Sequence, residues 1–455
     1  MTSAADLGLP HGFLLGVSTA AYQIEGAVSE GGRGSSSWDA FSHTPGRVLN
    51  GDTGDVACDH FHRYPEDVAL MKELGVAAYR FSFAWPRIQP SGKGAANPAG
   101  LDFYDRLVDA LLAAGIQPTP TLFHWDTPLD LEEAGGWLNA DTAKRFADYA
   151  YLLGERYADR VPRWITVNEP GVLTMLGYGA GIHAPGLKLG FGAIPTAHHQ
   201  LLAHGLAVAA LRDAGADNIG IANNHTPIWP ASDRDDDQQS AALYDTIANR
   251  LFAEPLLLGS YPTELEPHLP DGFSDDLAQI SVPIDWYGIN YYNPTRIGAP
   301  NARPGAEADG HPLDAGLPFA LKEIRGYPLT DVDWPVVPQA FTELLVSFKG
   351  RYGDALPPIY ITENGCAIND VPDATGRVND TRRISYTESH LAAIGEAIAA
   401  GVDVRGYFHW SLLDNFEWAA GYSQRFGLVH VDFATQKRTP KESYAWYRNL
   451  IRSSR

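Results

Sequence analysis

Residues 142–168 read TAKRFADYAYLLGERYADRVPRWITVN, a helical pattern followed closely by a strand-like run. The helical part is 142–157, and the run at 164–168 is rich in the β-branched and aromatic residues that strands favour. Further helical patterns lie at 103–114, 196–214 and 387–400. The strand-like runs lie at 13–18, 76–82, 118–123, 164–168, 219–223, 286–292, 359–363 and 406–411.

This alternation of strand and helix predicts a parallel sheet. Eight such runs in one chain indicate a closed (β/α)8 barrel with its active site at the C-terminal ends of the strands. Barrels of this length fold as one unit, so we expect residues 1–455 to form a single catalytic domain. The alternative is an open doubly wound sheet, but no glycine-rich phosphate loop follows the first run.

The composition narrows the range of partners. Lys and Arg total 34 against 55 for Asp and Glu, a net charge of -21 that argues against nucleic acid and anionic membrane surfaces. No apolar run is long enough to span a membrane, and the first residues do not resemble a secretory signal, so we expect a cytoplasmic protein. The only cysteines, Cys58 and Cys366, are too few for a disulfide scaffold or a structural zinc site. We expect no metal or cofactor, and the oligomeric state is left open.

Two glutamates end strand-like runs that should lie on opposite sides of the barrel mouth. Glu169 lies in TVNEP at 166–170, which ends the fourth run, and Glu363 lies in ITENG at 361–365, which ends the seventh. Glycoside hydrolysis uses such a pair, one carboxyl group to protonate the leaving oxygen and one to attack or to activate water. The alternative is that each glutamate only solvates the end of its strand.

At six segments, in order, the chain resembles glycoside hydrolase family 1. The segments are FLLGVSTAAYQIEG at 13–26, YRFSFAWPRI at 79–88, HWD at 124–126, the two glutamate motifs, and WSLLDNFEW at 410–418. The resemblance implies a retaining β-glycosidase, specifically a β-glucosidase. Such an enzyme removes terminal non-reducing β-D-glucosyl residues through a covalent glycosyl-enzyme intermediate. The substrates would be small β-glucosides or cello-oligosaccharides, as in cellulose degradation.

The resemblance also implies a role for each site residue. Glu169 would be the general acid/base and Glu363 the nucleophile, with Arg80 and Tyr292 beside Glu363. Asn290, a polar residue in the sixth run, is a further supporting candidate from its position in the sequence. The residues implied to bind the sugar are Gln23, His124, Asn168, Tyr292, Glu417 and Trp418, over a platform formed by Trp410. Trp334 is a candidate platform for the aglycone.

Several other functions remain open from the sequence. One is a β-glycosidase with broad galactosidase or fucosidase activity, and another is a catalytically inactive barrel that only binds sugars. A 6-phospho-β-glycosidase is disfavoured by Glu417, because family members of that type resemble this loop with a small hydroxyl residue there. A thioglucosidase is disfavoured by Glu169, since plant enzymes of that type resemble this motif with Gln.

Overall fold

The computed structural model describes residues 2–300 and 317–454, and within them eight parallel strands form a closed barrel. We number the barrel strands in chain order: β1 (Leu14–Ser18), β2 (Ala78–Ser82), β3 (Gln117–Phe123), β4 (Trp164–Asn168), β5 (Ile219–Asn224), β6 (Trp286–Asn290), β7 (Ile359–Asn364) and β8 (Val404–Trp410). Each strand pairs with its neighbours in the chain, and β8 pairs with β1 to close the ring. The predicted (β/α)8 barrel is therefore confirmed.

Helices surround this barrel and connect its strands. The α-helices of the described residues are Ala21–Ile24, Ser37–Ser42, His60–Leu74, Trp85–Ile88, Pro98–Ala113, Leu129–Glu133, Asp141–Tyr157, Pro170–Val172, Ile194–Asp213, Asp235–Asp245, Leu251–Leu257, Phe273–Ile280, Pro338–Tyr352, Thr381–Ala399 and Glu442–Ser453. Two segments are π-helical. Leu173–Gly179 continues the helix Pro170–Val172, and Thr246–Arg250 continues the helix Asp235–Asp245. Short 3-10 turns lie at Leu49–Gly51, Gly136–Leu138, Gly190–Ala193, Thr263–His268, Gly353–Ala355 and Trp418–Ala420.

Two small sheets lie outside the barrel. One joins Ile228–Pro230, Thr295–Gly298 and Ala320–Lys322, and the other is an antiparallel pair of Val429–Asp432 with Lys437–Pro440. The second sheet follows the loop after β8, so it anchors the far end of the segment that contains Glu417.

The helix Asp141–Tyr157, quoted at the outset, packs against Ile194–Asp213. Glycine within a helix costs about 0.5–1 kcal/mol relative to alanine. At Gly154, however, a side chain would meet the Cβ atom of Ala214 at 2.7 Å. The glycine therefore permits the close approach of the two helices.

Strands β4 and β7, whose C-terminal ends hold Glu169 and Glu363, both depart from regular pairing close to the glutamate. In β4, Ile165 is opposite Gly220 but Asn168 is opposite Ala222, so one residue is extra. In β7, Ile361 is opposite Ile289 and Glu363 opposite Asn290, which leaves Thr362 as the extra residue. Bulges of this kind change the direction of nearby side chains and recur next to active sites.

Candidate active site

A cavity of about 560 Å³ opens at the C-terminal ends of the barrel strands, where such barrels have their active sites. Its lining includes Glu169 and Glu363. The other predicted residues that line it are His124, Tyr292, Trp334, Trp410, Glu417 and Trp418. The cavity thus brings together residues that are separated by almost 300 positions in the chain.

Glu363 is held by a cation and a phenol. Arg80 Nη1 lies 2.6 Å from Glu363 Oε1, and Tyr292 Oη donates to Oε2 over 2.7 Å. Both partners are donors, one to each carboxylate oxygen, and charge-assisted bonds of this kind are about twice as strong as neutral ones. Since Arg80 and Glu363 are both buried, the pair is shielded from competing water.

Glu169 has a different environment, with amide groups in place of a cation as its hydrogen-bond donors. Asn290 Nδ2 donates to Glu169 Oε1 over 2.7 Å, and Asn224 Nδ2 lies 3.3 Å from the same oxygen. Burial, together with the negative charge of Glu363, raises the pKa of Glu169 to about 8. At neutral pH Glu169 therefore retains a proton that it can donate.

Three residues of the site have backbones in the left-handed region. These are Trp125 (φ 75°), Glu169 (φ 45°) and Trp418 (φ 53°). A side chain in this region costs of order 1–3 kcal/mol, and such residues cluster at functional sites. Nothing in the sequence signals these conformations, since none of the three is Gly, Asn or Asp.

A chain of hydrogen bonds orients the polar groups near Glu363. Arg80 Nη2 donates to Asn168 Oδ1 over 2.5 Å, which turns Asn168 Nδ2 towards His124 Nε2 at 3.0 Å. An amide nitrogen only donates, so Nε2 is the acceptor and the proton of the neutral ring lies on Nδ1. Burial and then the charge of Arg80 hold the pKa of His124 well below its usual value, which keeps the ring neutral.

Three of the predicted sugar-binding residues each have a buried polar atom that no other described residue satisfies. Within residues 2–300 and 317–454, no hydrogen-bond partner reaches His124 Nδ1, Gln23 Oε1 or Glu417 Oε1. Gln23 Nε2, by contrast, donates to the carbonyl oxygen of Phe416 over 2.9 Å, which ties Gln23 to the Glu417 loop. Buried polar atoms nearly always have partners, so donors and acceptors in this array fit a ligand rich in hydroxyl groups.

Aromatic rings enclose the same part of the cavity. The His124 ring is nearly parallel to Trp410 and to Trp418, with each pair of centroids 5.9 Å apart. Trp125 packs against Trp418 at 4.6 Å. Flat apolar surfaces beside buried hydrogen-bonding groups match the two kinds of surface that a sugar ring presents.

The family model for glycosyl hydrolase family 1 matches residues 6–455. The chain belongs to this family. It is 44% identical over 454 residues to beta-glucosidase A of Thermotoga maritima, covering 98% of each chain. It is also 44% identical to a bifunctional beta-D-glucosidase/beta-D-fucosidase of Bifidobacterium breve, covering 97% of this chain and 98% of that one. The solved structure of the T. maritima family 1 glucosidase in complex with isofagomine lactam superposes with a TM-score of 0.91, at 44% identity and 98% and 99% coverage.

The outer part of the cavity in this family 1 chain is asymmetric. On one side Trp334, 36% exposed, packs its ring 5.3 Å from that of Tyr292. Another part of the lining, which we call the apolar wall, comes from helical segments that follow β4 and β5. It consists of Val172, Met175, Leu176, Tyr244, Ala248 and Phe252.

Two polar residues of the site lie outside the set chosen from the sequence. Asn224 contacts Glu169, and its place at the end of β5 was the available signal. Thr362 donates to Asn290 Oδ1 over 2.5 Å, although its position between an apolar residue and Glu363 suggested only a strand interior. The apolar wall was also missed, because it depends on how two helices fold over the barrel.

In residues 2–300 and 317–454, no cluster of three or more His, Cys, Asp or Glu side chains could hold a metal ion. In the same part of the chain, no helix combines the length and apolar character needed to span a membrane. Cys58 and Cys366 are both free and buried.

Proposed function

We propose that this family 1 enzyme is a retaining β-glucosidase in which Glu363 is the nucleophile and Glu169 the general acid/base. The observation that carries the assignment is the contrast between the two carboxyl groups in one cavity. Glu363 is bound by Arg80 and Tyr292, whereas burial and the charge of Glu363 raise the pKa of Glu169 to about 8. A carboxylate that can attack and a carboxylic acid that can protonate are the two groups the reaction requires.

In the first step, a carboxylate oxygen of Glu363 attacks the anomeric carbon of the sugar and the bond to the leaving oxygen breaks. Glu169 transfers its proton to that oxygen, so the aglycone departs as a neutral alcohol or phenol. The product is a glycosyl ester of Glu363, and Glu169 is now ionised.

In the second step, the ionised Glu169 takes a proton from water, and the resulting nucleophile attacks the anomeric carbon. The ester bond breaks, Glu363 leaves as a carboxylate, and the sugar is released with its original β configuration. The attractive forces from Arg80 and Tyr292 stabilise Glu363 as it regains negative charge.

We place the non-reducing glucosyl unit between Trp410 and the polar array of Gln23, His124, Asn168 and Glu417. Within the described residues, the unpartnered atoms of this array are one donor, His124 Nδ1, and two oxygen atoms, Gln23 Oε1 and Glu417 Oε1, which could bind sugar hydroxyls. Trp410 supplies an apolar face, and Trp418 adds a second ring beside His124. The names of both relatives include a glucosidase activity, and only one adds a fucosidase activity. We therefore infer β-glucosides as the principal substrates.

The leaving group would lie in the outer cavity, between Trp334 and the apolar wall. We infer small β-glucosides and cello-oligosaccharides as substrates, with a role in cellulose degradation and a cytoplasmic location. Free buried thiols such as Cys58 and Cys366 are compatible with a reducing compartment. We further infer that residues 1–455 act as one catalytic domain.

Hydrolysis of an aryl β-glucoside, with the sugar product followed by NMR, tests this proposal. We expect the β anomer first, and the α anomer only later by mutarotation. Glu363→Gly should lose hydrolysis of every substrate, and azide should then yield an α-glycosyl azide, whereas azide with Glu169→Ala should yield the β-azide. An absence of hydrolysis by the wild-type protein would favour a sugar-binding barrel, and the same azide anomer from both variants would refute the two assignments.

A further inference from the structure

The bulge in β7 gives Thr362 a contact that a regular strand would not provide. Thr362 is the extra residue of the bulge, so both Thr362 and Glu363 lie beside Asn290 of the neighbouring strand β6. The Thr362 side chain is completely buried, and its hydroxyl donates to Asn290 Oδ1 over 2.5 Å. Thr362 therefore contacts the amide that binds Glu169.

The orientation of the Asn290 amide decides what Glu169 encounters. As oriented, Asn290 Nδ2 donates to Glu169 Oε1 over 2.7 Å and lies 3.1 Å from Asn168 Oδ1. An amide rotated by 180° would instead present its oxygen to these two acceptors. The hydroxyl of Thr362 opposes that rotation, because it supplies a proton to the oxygen on the side away from Glu169.

We propose that Thr362 is a positioning residue that acts through Asn290 to aim a hydrogen-bond donor at Glu169. The inference rests on the proposed function, in which Glu169 is the acid/base. Thr362 itself contacts neither the sugar nor the reacting atoms. Its role is to keep one donor fixed while Glu169 gains and loses its proton in each catalytic cycle.

The charged and titratable groups that face Glu169 come from other strands. Glu363 of β7 disfavours ionisation of Glu169, and Arg80 of β2 favours it. Tyr292, just beyond β6, is also close enough to interact with Glu169. Burial and the charge of Glu363 raise the pKa of Glu169. Among the groups that lower this pKa, the hydrogen bond from Asn290 has the largest effect. Loss of the donor should consequently make Glu169 harder to ionise.

The test compares Thr362→Val, which keeps the shape and removes the hydroxyl, with Thr362→Ser, which keeps the hydroxyl. The readout is the pH profile of kcat/KM for an aryl β-glucoside with a poor leaving group. For Thr362→Val, we expect the alkaline limb to move upward by about 0.5–1 pH unit, the effect of losing one ordinary hydrogen bond. We expect Thr362→Ser to keep the wild-type limb. A wild-type limb in Thr362→Val would overturn the proposal and leave Thr362 with a packing role.

Two further variants make the result decisive. If Thr362→Val does not accumulate as folded protein, Thr362→Ala is measured in its place, with the same upward shift supporting the proposal and an unmoved limb overturning it. Glu169→Gln, assayed with the same poor-leaving aryl β-glucoside, should react much more slowly and should lose the alkaline limb. If Glu169→Gln keeps the alkaline limb, the assignment of Glu169 is refuted. If Glu169→Gln loses the limb but the limb of Thr362→Val stays at the wild-type pH, only the positioning role of Thr362 is refuted.

Discussion

Glu169 illustrates how a single side chain can set a pH limit. Its pKa is raised to about 8 by burial and by Glu363, so the acid form persists through neutral pH. We therefore expect kcat/KM for a poor leaving group to hold below about pH 8 and to fall as Glu169 loses its proton above it.

The substrate's leaving group provides the control for this pH prediction. Dinitrophenolate needs little protonation, so Glu169→Ala should slow its release at the first step far less than that of a poor leaving group. If the pH profile of kcat/KM for a poor leaving group keeps its alkaline limb in Glu169→Ala, another group controls that limb and the prediction is contradicted.

Glu417 should determine whether a phosphorylated sugar is accepted. Burial, together with the charges of Glu363 and Asp414, raises the pKa of Glu417 well above its usual value, so negative charge is already disfavoured there. A 6-phosphate would add nearly two negative charges. We expect wild-type kcat/KM to be far higher for an aryl β-glucoside than for its 6-phosphate, and comparable values would show that Glu417 does not face the 6-position.

Replacement of Glu417 tests its contact with the sugar directly. Glu417→Ser should lower kcat/KM for the unphosphorylated glucoside at least about tenfold, or roughly 1.4 kcal/mol, through loss of hydrogen bonds to hydroxyl groups. The matched control is Glu133→Ser, which changes an exposed glutamate and should leave kcat/KM unaltered.

The sequence identified most of the polar residues of the site, but it did not predict their geometry. Glu169 and Glu363 follow strand-like runs, which places them at the mouth of any (β/α)8 barrel. Neither Asn224 nor Thr362 was predicted as a site residue from the sequence, and the reason differs between the two. Asn224 ends a strand, but an amide there has many possible uses, whereas the role of Thr362 arises from a bulge that is defined only against a partner strand.

At the scale of elements, the loop after β8 depends on a buried cluster of charges. Asp414 accepts from Arg425 Nη1 over 2.8 Å and from Lys441 Nζ over 2.9 Å. Burial alone would raise the pKa of Asp414, but Lys441 and Arg425 hold it below its usual value. The cluster fixes the loop only three residues before Glu417.

Asp414→Asn should therefore affect both stability and sugar binding. Breaking a buried ion pair from one side costs about 3–5 kcal/mol, because the partner is left uncompensated. We expect the free energy of unfolding, measured with denaturant, to fall by about that amount, with a rise in KM. The control is Asp403→Asn, whose partner Arg405 is more than half exposed, and an equal loss in both variants would contradict the prediction.

The helical and strand-like patterns predicted the main elements well because each is a local property. The run at 164–168 is β4 as observed, and the pattern at 142–157 is the helix Asp141–Tyr157 with one further residue. The π-helical turn Leu173–Gly179 was not predicted, since its extra residue per turn produces no separate sequence pattern. That turn nonetheless supplies Met175 and Leu176 to the apolar wall.

At the scale of the whole molecule, the outer cavity is where substrates of different length should be distinguished. Trp334 lines the same cavity as the apolar wall, and its ring packs against those of Tyr292 and Phe426. Trp334→Ala should reduce kcat/KM more for cello-oligosaccharides than for a compact aryl glucoside, since only the longer substrate reaches this ring. The control is Trp229→Ala, which lies away from the lining, and equal effects of Trp334→Ala on both substrates would contradict the prediction.

The overall architecture was predictable because eight repeated units leave few ways to bury both faces of a parallel sheet. Barrel closure then determines which side chains meet, so Arg80 of β2 reaches Glu363 of β7 across the interior. The distances themselves were not predictable, because they depend on register shifts such as those in β4 and β7.

The left-handed backbones of Trp125, Glu169 and Trp418 have a consequence for directed evolution. Glycine adopts such a backbone readily, and Glu169→Gly would also remove a carboxyl group from a buried position beside Glu363. A screen for heat resistance alone would therefore select variants at this position that survive heating but lack the proposed acid/base. Libraries of this enzyme need an activity screen alongside the thermal one, because replacing the proposed acid/base Glu169 would relieve both a left-handed backbone and a buried carboxyl group.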